Sequence, residues 1–148
     1  MIVVDASVWI SYLVQQDINH AKTRPWLAQT LLDHTPIAAP ILLLSEIGGA
    51  MARRLGSAEI GNKAINQLLA IPTLRLISID HALGIQASRI AANHRLRGAD
   101  AVYVAVASHL NIPLVSWDKE HLTRAAALIT THTPTSYPSF LEQEDDAS

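Results

Sequence analysis

The chain predicts an α/β fold, a sandwich built on a mostly parallel sheet. Three observations lead there. Ile2-Val3-Val4 is a short, wholly apolar, β-branched run, which suits a strand buried on both faces, as parallel strands are. Runs of this kind alternate with segments of helical periodicity, the pattern of β-α-β units. The stretch from Arg97 to Leu110 reads as a helix whose side chains after Asp100 are almost all small or apolar, which marks a helix buried nearly all round.

Each element follows from local signals. Asp5 ends the first strand, and Ala6-Ser7 leads into a helix through Val8 to Val14. Within it, Val8 to Leu13 with Trp9 and Tyr12 offers either core or a partner surface, and helical spacing favours core. Asn19 to Asp33 holds helix, expected in two pieces because Pro25 fits best in a first turn. Pro36 to Pro40 is an extended link or strand. Ile41 to Leu55 is helical, with an apolar face of Leu43, Ile47, Ala50, Met51 and Leu55, and Gly56 stops it. A further helix runs from Ala58 to about Ala70, closed by Pro72. Leu74 to Ile79 reads as a strand, and Asp80 after it as the cap of a helix from Ala82 to about Asn93. His94-Arg95-Leu96-Arg97-Gly98 is a basic turn into the apolar helix. Leu114-Val115-Ser116 is another buried-type strand, Lys119 to Leu128 a short helix, and Ile129-Thr130-Thr131 a last strand. The folded domain is expected over residues 1–133, and residues 134–148, with Glu142-Gln143-Glu144-Asp145-Asp146, as a polar, acidic tail.

Composition narrows the chemistry. With 148 residues, 49% of them apolar, one domain has room for a substantial core. Cysteine is absent, which removes disulfides, thiol nucleophiles and thiolate metal sites and agrees with a reducing cytoplasm. The net charge of −2 gives no global attraction to nucleic acid, so a polyanion would need local basic patches. Asp5 interrupts the first apolar run with no basic region before it, so no signal peptide is expected. No uncharged apolar run reaches ~20 residues, so no membrane span is expected.

Four acids sit where burial makes a carboxylate awkward. Asp5 and Asp118 each follow a buried-type strand, and sites in open α/β sheets form beyond the carboxyl ends of strands. Asp100 opens the apolar helix, where the backbone dipole favours negative charge. Glu46 lies three residues after Leu43 and four before Ala50, on the inward face of its helix. Three have a plainer reading: Asp5 and Asp100 as helix caps, Glu46 as a paired structural glutamate with Arg53 or Arg54 as partner. If the four meet, each pair at ~4 Å costs on the order of 4 kcal/mol at an effective dielectric of 20. Protonation or a bound cation relieves that cost. All-oxygen ligation suits Mg²⁺ or Mn²⁺, and such an ion activates water and neutralises phosphate charge, so phosphodiester hydrolysis follows.

Other chemistries fit poorly. The seven histidines include no His-x-x-x-His pair of zinc type. There is no Gly-x-Gly-x-x-Gly and no Walker loop. Asp5-Ala6-Ser7 lacks the second aspartate of a phosphoaspartate phosphatase, and Ser7 and Ser116 have no obvious base.

Val3-Val4-Asp5-Ala6-Ser7, Leu43-Leu44-Ser45-Glu46-Ile47, Arg97-Gly98-Ala99-Asp100-Ala101 and Leu114-Val115-Ser116-Trp117-Asp118 together resemble the four acidic motifs of PIN-domain nucleases. The likeness is strongest to the VapC-type toxins of toxin–antitoxin pairs, and it runs from about Ile2 to Thr131. The resemblance implies a three-layer α/β/α sandwich. It implies Asp5, Glu46, Asp100 and Asp118 as catalytic, metal-site acids, Asp118 being the most variable position, with Ser7 and Ser116 in support. It implies Mg²⁺ or Mn²⁺, cleavage of RNA (tRNA or ribosomal RNA are common targets), a homodimer and a cognate antitoxin, all in the cytoplasm.

The acidic balance leaves RNA binding to particular cations. Arg53, Arg54, Arg95, Arg97, Lys119 and Arg124 are the candidates, and at least three are expected beside the acidic site. Two alternatives stay open: a PIN nuclease in RNA processing without an antitoxin, and an inert binding module. A Mg²⁺-dependent phosphatase or receiver-type domain has no separate support in the sequence.

Overall fold

The structure, a computed structural model, describes residues 1–138. In chain order its elements are β1 (Ile2–Val4), α1 (Ala6–Leu13), α2 (His20–Leu32), β2 (Ile37–Pro40), α3 (Leu42–Leu55), α4 (Ala58–Leu69), β3 (Leu74–Ile77), α5 (His81–His94), α6 (Gly98–Leu110), β4 (Leu114–Val115), α7 (Lys119–Ala125) and β5 (Thr131–His132). The strands form one sheet in the order β3-β2-β1-β4-β5. Every neighbouring pair is parallel.

The strand order explains the layers. The chain moves from β1 through β2 to β3 in one direction, then returns past β2 and β1 to β4 and β5 in the other. Right-handed crossovers place α1 to α4 on one face and α5 to α7 on the other. The packing agrees: α1 meets α2 and α3, α3 meets α4, and α5 meets α6, which lies over β1, β2 and β4. This is the three-layer α/β/α sandwich. β1 and β4 are neighbours whose onward connections leave in opposite directions, so the crevice between their carboxyl ends is the topological switch point.

Residue type decides which strand is central. Val3 and Val4 in β1, Ala38 and Ala39 in β2, and Leu114 and Val115 in β4 are fully buried, whereas β3, with Arg75 exposed, and β5 are the partly covered edges. Small side chains on α6 let it lie close to the sheet, and Ala101, Tyr103, Val104 and Ala105 are inaccessible. Burying each such valine or leucine is worth about 1.5–3 kcal/mol before entropy is counted. Trp9 is also core, at 1% exposed. No described helix is long and apolar enough to cross a membrane.

Several boundaries differ from the sequence expectation. β3 ends at Ile77 rather than Ile79, and α7 ends at Ala125 rather than Leu128. α2 is one helix with Pro25 inside it, held by burial of Thr23, Leu27 and Thr30 on its inner face; the proline removes one backbone donor without ending the helix. β4 stops at Val115; the next residue, Ser116, still donates its backbone N–H to the His132 carbonyl oxygen and its hydroxyl to Asp5. β5 begins at Thr131 because the backbone N–H groups of Leu128 and Ile129 are still engaged with the Ala125 carbonyl. Beyond β5, Tyr137 packs edge-on against Trp26 and His132, with ring centroids 6.0 and 5.3 Å away. The acidic run Glu142 to Asp146 lies outside the described residues.

Two glycines give a test of the packing. A Cβ on Gly61 of α4 would stand 2.7 Å from the Gly48 carbonyl oxygen of α3, whereas one on Gly84 of α5 would meet nothing within 4 Å. Thermal unfolding should therefore separate them. Gly61→Ala is expected to destabilise by about 1–3 kcal/mol through overpacking, and Gly84→Ala to stabilise by about 0.5–1 kcal/mol through helix propensity.

Candidate metal centre

Asp5 stands at the end of β1, buried at 5% exposed. It caps α1, accepting the Ser7 backbone N–H at 3.4 Å. The same oxygen, Oδ2, accepts the hydroxyls of Ser7 at 2.7 Å and Ser116 at 2.9 Å. Ser7 Oγ in turn accepts the Trp117 backbone N–H at 3.1 Å, and Ser116 Oγ accepts that of Asp118 at 3.1 Å. These bonds stitch the turn after β1 to the turn after β4. They spend Oδ2 and leave Oδ1 without a hydrogen bond among the described residues.

Asp118 caps α7, its Oδ1 accepting the His121 backbone N–H at 3.1 Å. Capping and site membership thus coincide for Asp5 and Asp118, since both sit where a strand hands over to a helix. Glu46 projects from α3 and takes the Tyr103 hydroxyl on Oε1 at 2.7 Å. Its partner is this tyrosine rather than Arg53 or Arg54: Arg53 folds back beside Gly49, and Arg54 is paired with Asp17. Asp100, in the first turn of α6, lies 3.8 Å from Nδ1 of His121, whose side chain is wholly buried. Asp5, Ser7, Glu46, Asp100 and Asp118 all line one cavity of about 300 Å³. Among the described residues, Asp5, Asp100 and His121 offer ligand atoms all within 4.8 Å of one another. Glu46 and Asp118 border the cavity outside that inner group.

The electrostatics follow from this crowding. Burial pushes the Glu46 carboxyl above its usual range, the Tyr103 hydrogen bond opposes the shift, and the charges of Asp5 and Asp100 add to it. Burial likewise raises Asp100, His121 opposes, Asp5 and Asp118 reinforce, and Arg97 pulls it back down. The Tyr103 hydroxyl is pushed up, by burial first and by Glu46 next, so it stays a donor. The site concentrates negative charge that a hard cation would neutralise, and oxygen donors fit Mg²⁺ or Mn²⁺.

The cations divide. Arg54 lines the main cavity and pairs with Asp17 at 3.2 Å. Arg97 and Arg124 line an adjoining cleft that shares Asp100 and Asp118. Arg124 is tied to Glu120 and to the Arg95 carbonyl oxygen. Arg53, which curls back beside Gly49, Arg95 and Lys119 line neither space.

Two contributors escaped the sequence reading. Tyr103 sits three residues after Asp100 and His121 three after Asp118, so each shares a helical face with a motif acid. That spacing is a usable signal, but Tyr103 reads as core and His121 as surface until the helices are packed.

Comparisons with known proteins agree on the fold that carries this crevice. The chain belongs to the PIN domain family, whose model matches residues 2–128. Comparison with curated protein sequences gives no match. Among solved structures, VapC20 of Mycobacterium tuberculosis, a sarcin–ricin loop cleaving toxin, is similar with a TM-score of 0.74 and 21% identity, over 87% of this chain and 97% of that one. FitAcB of Neisseria gonorrhoeae is similar at TM-score 0.66 and 19% identity, over 91% and 99% of the two chains. VapBC2 of Rickettsia felis, solved bound to a promoter DNA fragment, is similar at 0.66 and 11%, over 90% and 98%. At these identities the likeness is one of fold.

A carboxyl raised by the fold keeps its proton to higher pH than in the unfolded chain. Its stability contribution is therefore lost as pH climbs from the ordinary carboxylate range through the raised value, and the cost is present wherever the carboxyl is ionised. In chelator at pH 7, Glu46→Gln, which retains an oxygen acceptor for Tyr103, is expected to unfold at higher temperature than wild type. The gain should be on the order of 1 kcal/mol, roughly 3 °C for a domain of this size. An equal or lower melting temperature would mean that Glu46 is not under electrostatic strain.

Proposed function

We propose that this chain is a divalent-metal-dependent endoribonuclease of the VapC type, the toxin of a toxin–antitoxin pair. The observation that carries the reading is the meeting of Asp5, Glu46, Asp100 and Asp118 around one cavity, in a chain of the PIN domain family. Support for the toxin role comes from a solved neighbour that cleaves the sarcin–ricin loop and from another that is a VapBC complex. On this reading the partners are a cognate antitoxin and an RNA, tRNA or ribosomal, and the protein acts as a cytoplasmic homodimer.

Asp5 and Asp100 would hold Mg²⁺ or Mn²⁺, with Glu46 and Asp118 at its margin. A bound cation there lowers the pKa of a coordinated water and offsets phosphate charge. The chain's own side chains do the rest. Ser7 and Ser116 hold Asp5 by one oxygen and keep the other turned to its task. Tyr103 fixes Glu46, whose second oxygen is the group on this chain suited to take a proton from an attacking water. Burial makes Glu46 a better base than a solvated carboxylate, because its raised pKa favours accepting that proton. Arg54, Arg97 and Arg124 border the two clefts and would steady the phosphates on either side of the scissile bond. Asp17 and Glu120 hold two of these arginines until a phosphate competes for them.

The test is incubation of total cellular RNA with purified, antitoxin-free protein, with and without Mg²⁺ or Mn²⁺, beside Asp100→Asn. Discrete fragments that require the ion and fall at least ~100-fold in the variant are expected, since even groups behind a metal ligand cost 10–100-fold when lost. Cleavage unchanged in Asp100→Asn would reject the site. Folded, metal-loaded wild type that cuts no RNA would point to an inert binding module.

A further inference from the structure

The imidazole of His121 has no part in the reading above, yet it occupies an expensive position. His121 is 1% exposed, and neither ring nitrogen has a hydrogen-bond partner among the described residues. A neutral imidazole carries one donor and one acceptor, so burying both unpaired costs roughly 1–3 kcal/mol for each group. A leucine or phenylalanine would fill the space without that cost. The backbone that carries the ring is held by the bond from the His121 N–H to Asp118 Oδ1 at 3.1 Å in the first turn of α7, and the side chain itself is wholly buried.

The separation from Asp100 indicates what the ring is for. Nδ1 stands 3.8 Å from Asp100 Oδ1, too far for a hydrogen bond. Two donors on one small divalent ion, each at ~2.1 Å, stand between ~3.0 Å at right angles and ~4.2 Å when opposed. The observed spacing falls within that interval. A ligand atom of Asp5 lies within 4.8 Å of both.

We propose that His121, through Nδ1, is a nitrogen ligand of the cation held between Asp5 and Asp100, and that it selects Mn²⁺ over Mg²⁺. The proposal rests on the reading that those two acids hold a divalent cation. Oxygen-only sites suit Mg²⁺, which keeps its waters and gains little from imidazole. Mn²⁺ accepts carboxylate and imidazole together, and later transition ions bind imidazole more strongly still. One buried nitrogen therefore separates this site from one made of carboxylates alone. No histidine pair flags it in the sequence, since His121 forms no metal-type spacing with another histidine.

The experiment uses the full chain, freed of metal and then titrated with Mn²⁺ and with Mg²⁺, as wild type, His121→Phe, His121→Gln and Asp100→Asn. Electron spin-echo spectra of bound Mn²⁺ are recorded for each. Wild type should show nitrogen modulation from the imidazole, and His121→Phe and His121→Gln should lose it. In these two variants the Mn²⁺ dissociation constant should rise at least ~10-fold, and that for Mg²⁺ should change by no more than about 2-fold, since Mg²⁺ is held by oxygen. The wild-type spectrum decides the question even if a variant fails to fold. Mn²⁺ bound in an Asp100-dependent way without nitrogen modulation overturns the ligand and leaves the acidic site standing. Mn²⁺ that does not bind wild type, or binds Asp100→Asn equally well, overturns both.

Discussion

Asp5 Oδ2 is the point through which the two halves of the crevice are held together. It accepts hydroxyls from Ser7 and Ser116, residues more than a hundred positions apart, and those hydroxyls accept the backbone N–H groups of Trp117 and Asp118. Trp117 is anchored a second time, by its indole N–H donating to Thr23 Oγ1 at 2.7 Å. Thr23 Oγ1 lies 2.6 Å from Ser11 Oγ, which donates to the Val8 carbonyl oxygen. The indole can only donate and the Ser11 proton is committed to Val8, so the Thr23 proton points to Ser11. One continuous polar chain thus joins β1, α1, α2 and the turn after β4. Buried polar networks of this kind are worth having only when every member is satisfied, and here each named hydroxyl both donates and accepts or is placed to do so.

Against that rigid frame stands a deliberate imbalance. Five carboxylates, Asp5, Asp17, Glu46, Asp100 and Asp118, line one cavity; Arg54 is paired with Asp17 and Arg124 with Glu120, and Arg97, from the adjoining cleft, offsets Asp100 only in part. Neutralisation inside the cavity is left to protonation or to a cation, and burial pushes both Glu46 and Asp100 toward holding a proton. A fold that stores electrostatic cost in a solvent-reachable crevice trades stability for the ability to bind charge there. Tyr103 limits that cost at Glu46, and the α6 dipole limits it at Asp100.

Much of this was legible in the chain. Asp5 and Asp118 could be placed at strand ends because a buried apolar run followed by a capping residue is a local pattern. Glu46 could be placed on an inward face because helical periodicity is local as well. The partners could not. Glu46 and Tyr103 are 57 positions apart, and whether the glutamate meets a tyrosine or an arginine depends on how α3 packs against α6. Of two adjacent arginines, Arg54 reaches the cavity and Arg53 folds back on its own helix, a choice made by helix rotation. Pro25 and the start of β5 misled for the same reason: packing of α2 and the turn after α7 outweighed the local cues.

The sequence by itself determined the alternation of strand and helix, the buried α6, the placing of Asp5, Asp100 and Asp118 at element ends and that of Glu46 on an inward helical face, because each depends on residues within one or two turns of one another. Only the tertiary structure decided that β4 lies beside β1. That adjacency brings Asp118 and Ser116 to Asp5, lays α6 with Asp100 across the same strands, and buries His121 against the acids. The physical reason is that convergence depends on strand order, and strand order is chosen by the summed burial of both sheet faces rather than by any one segment.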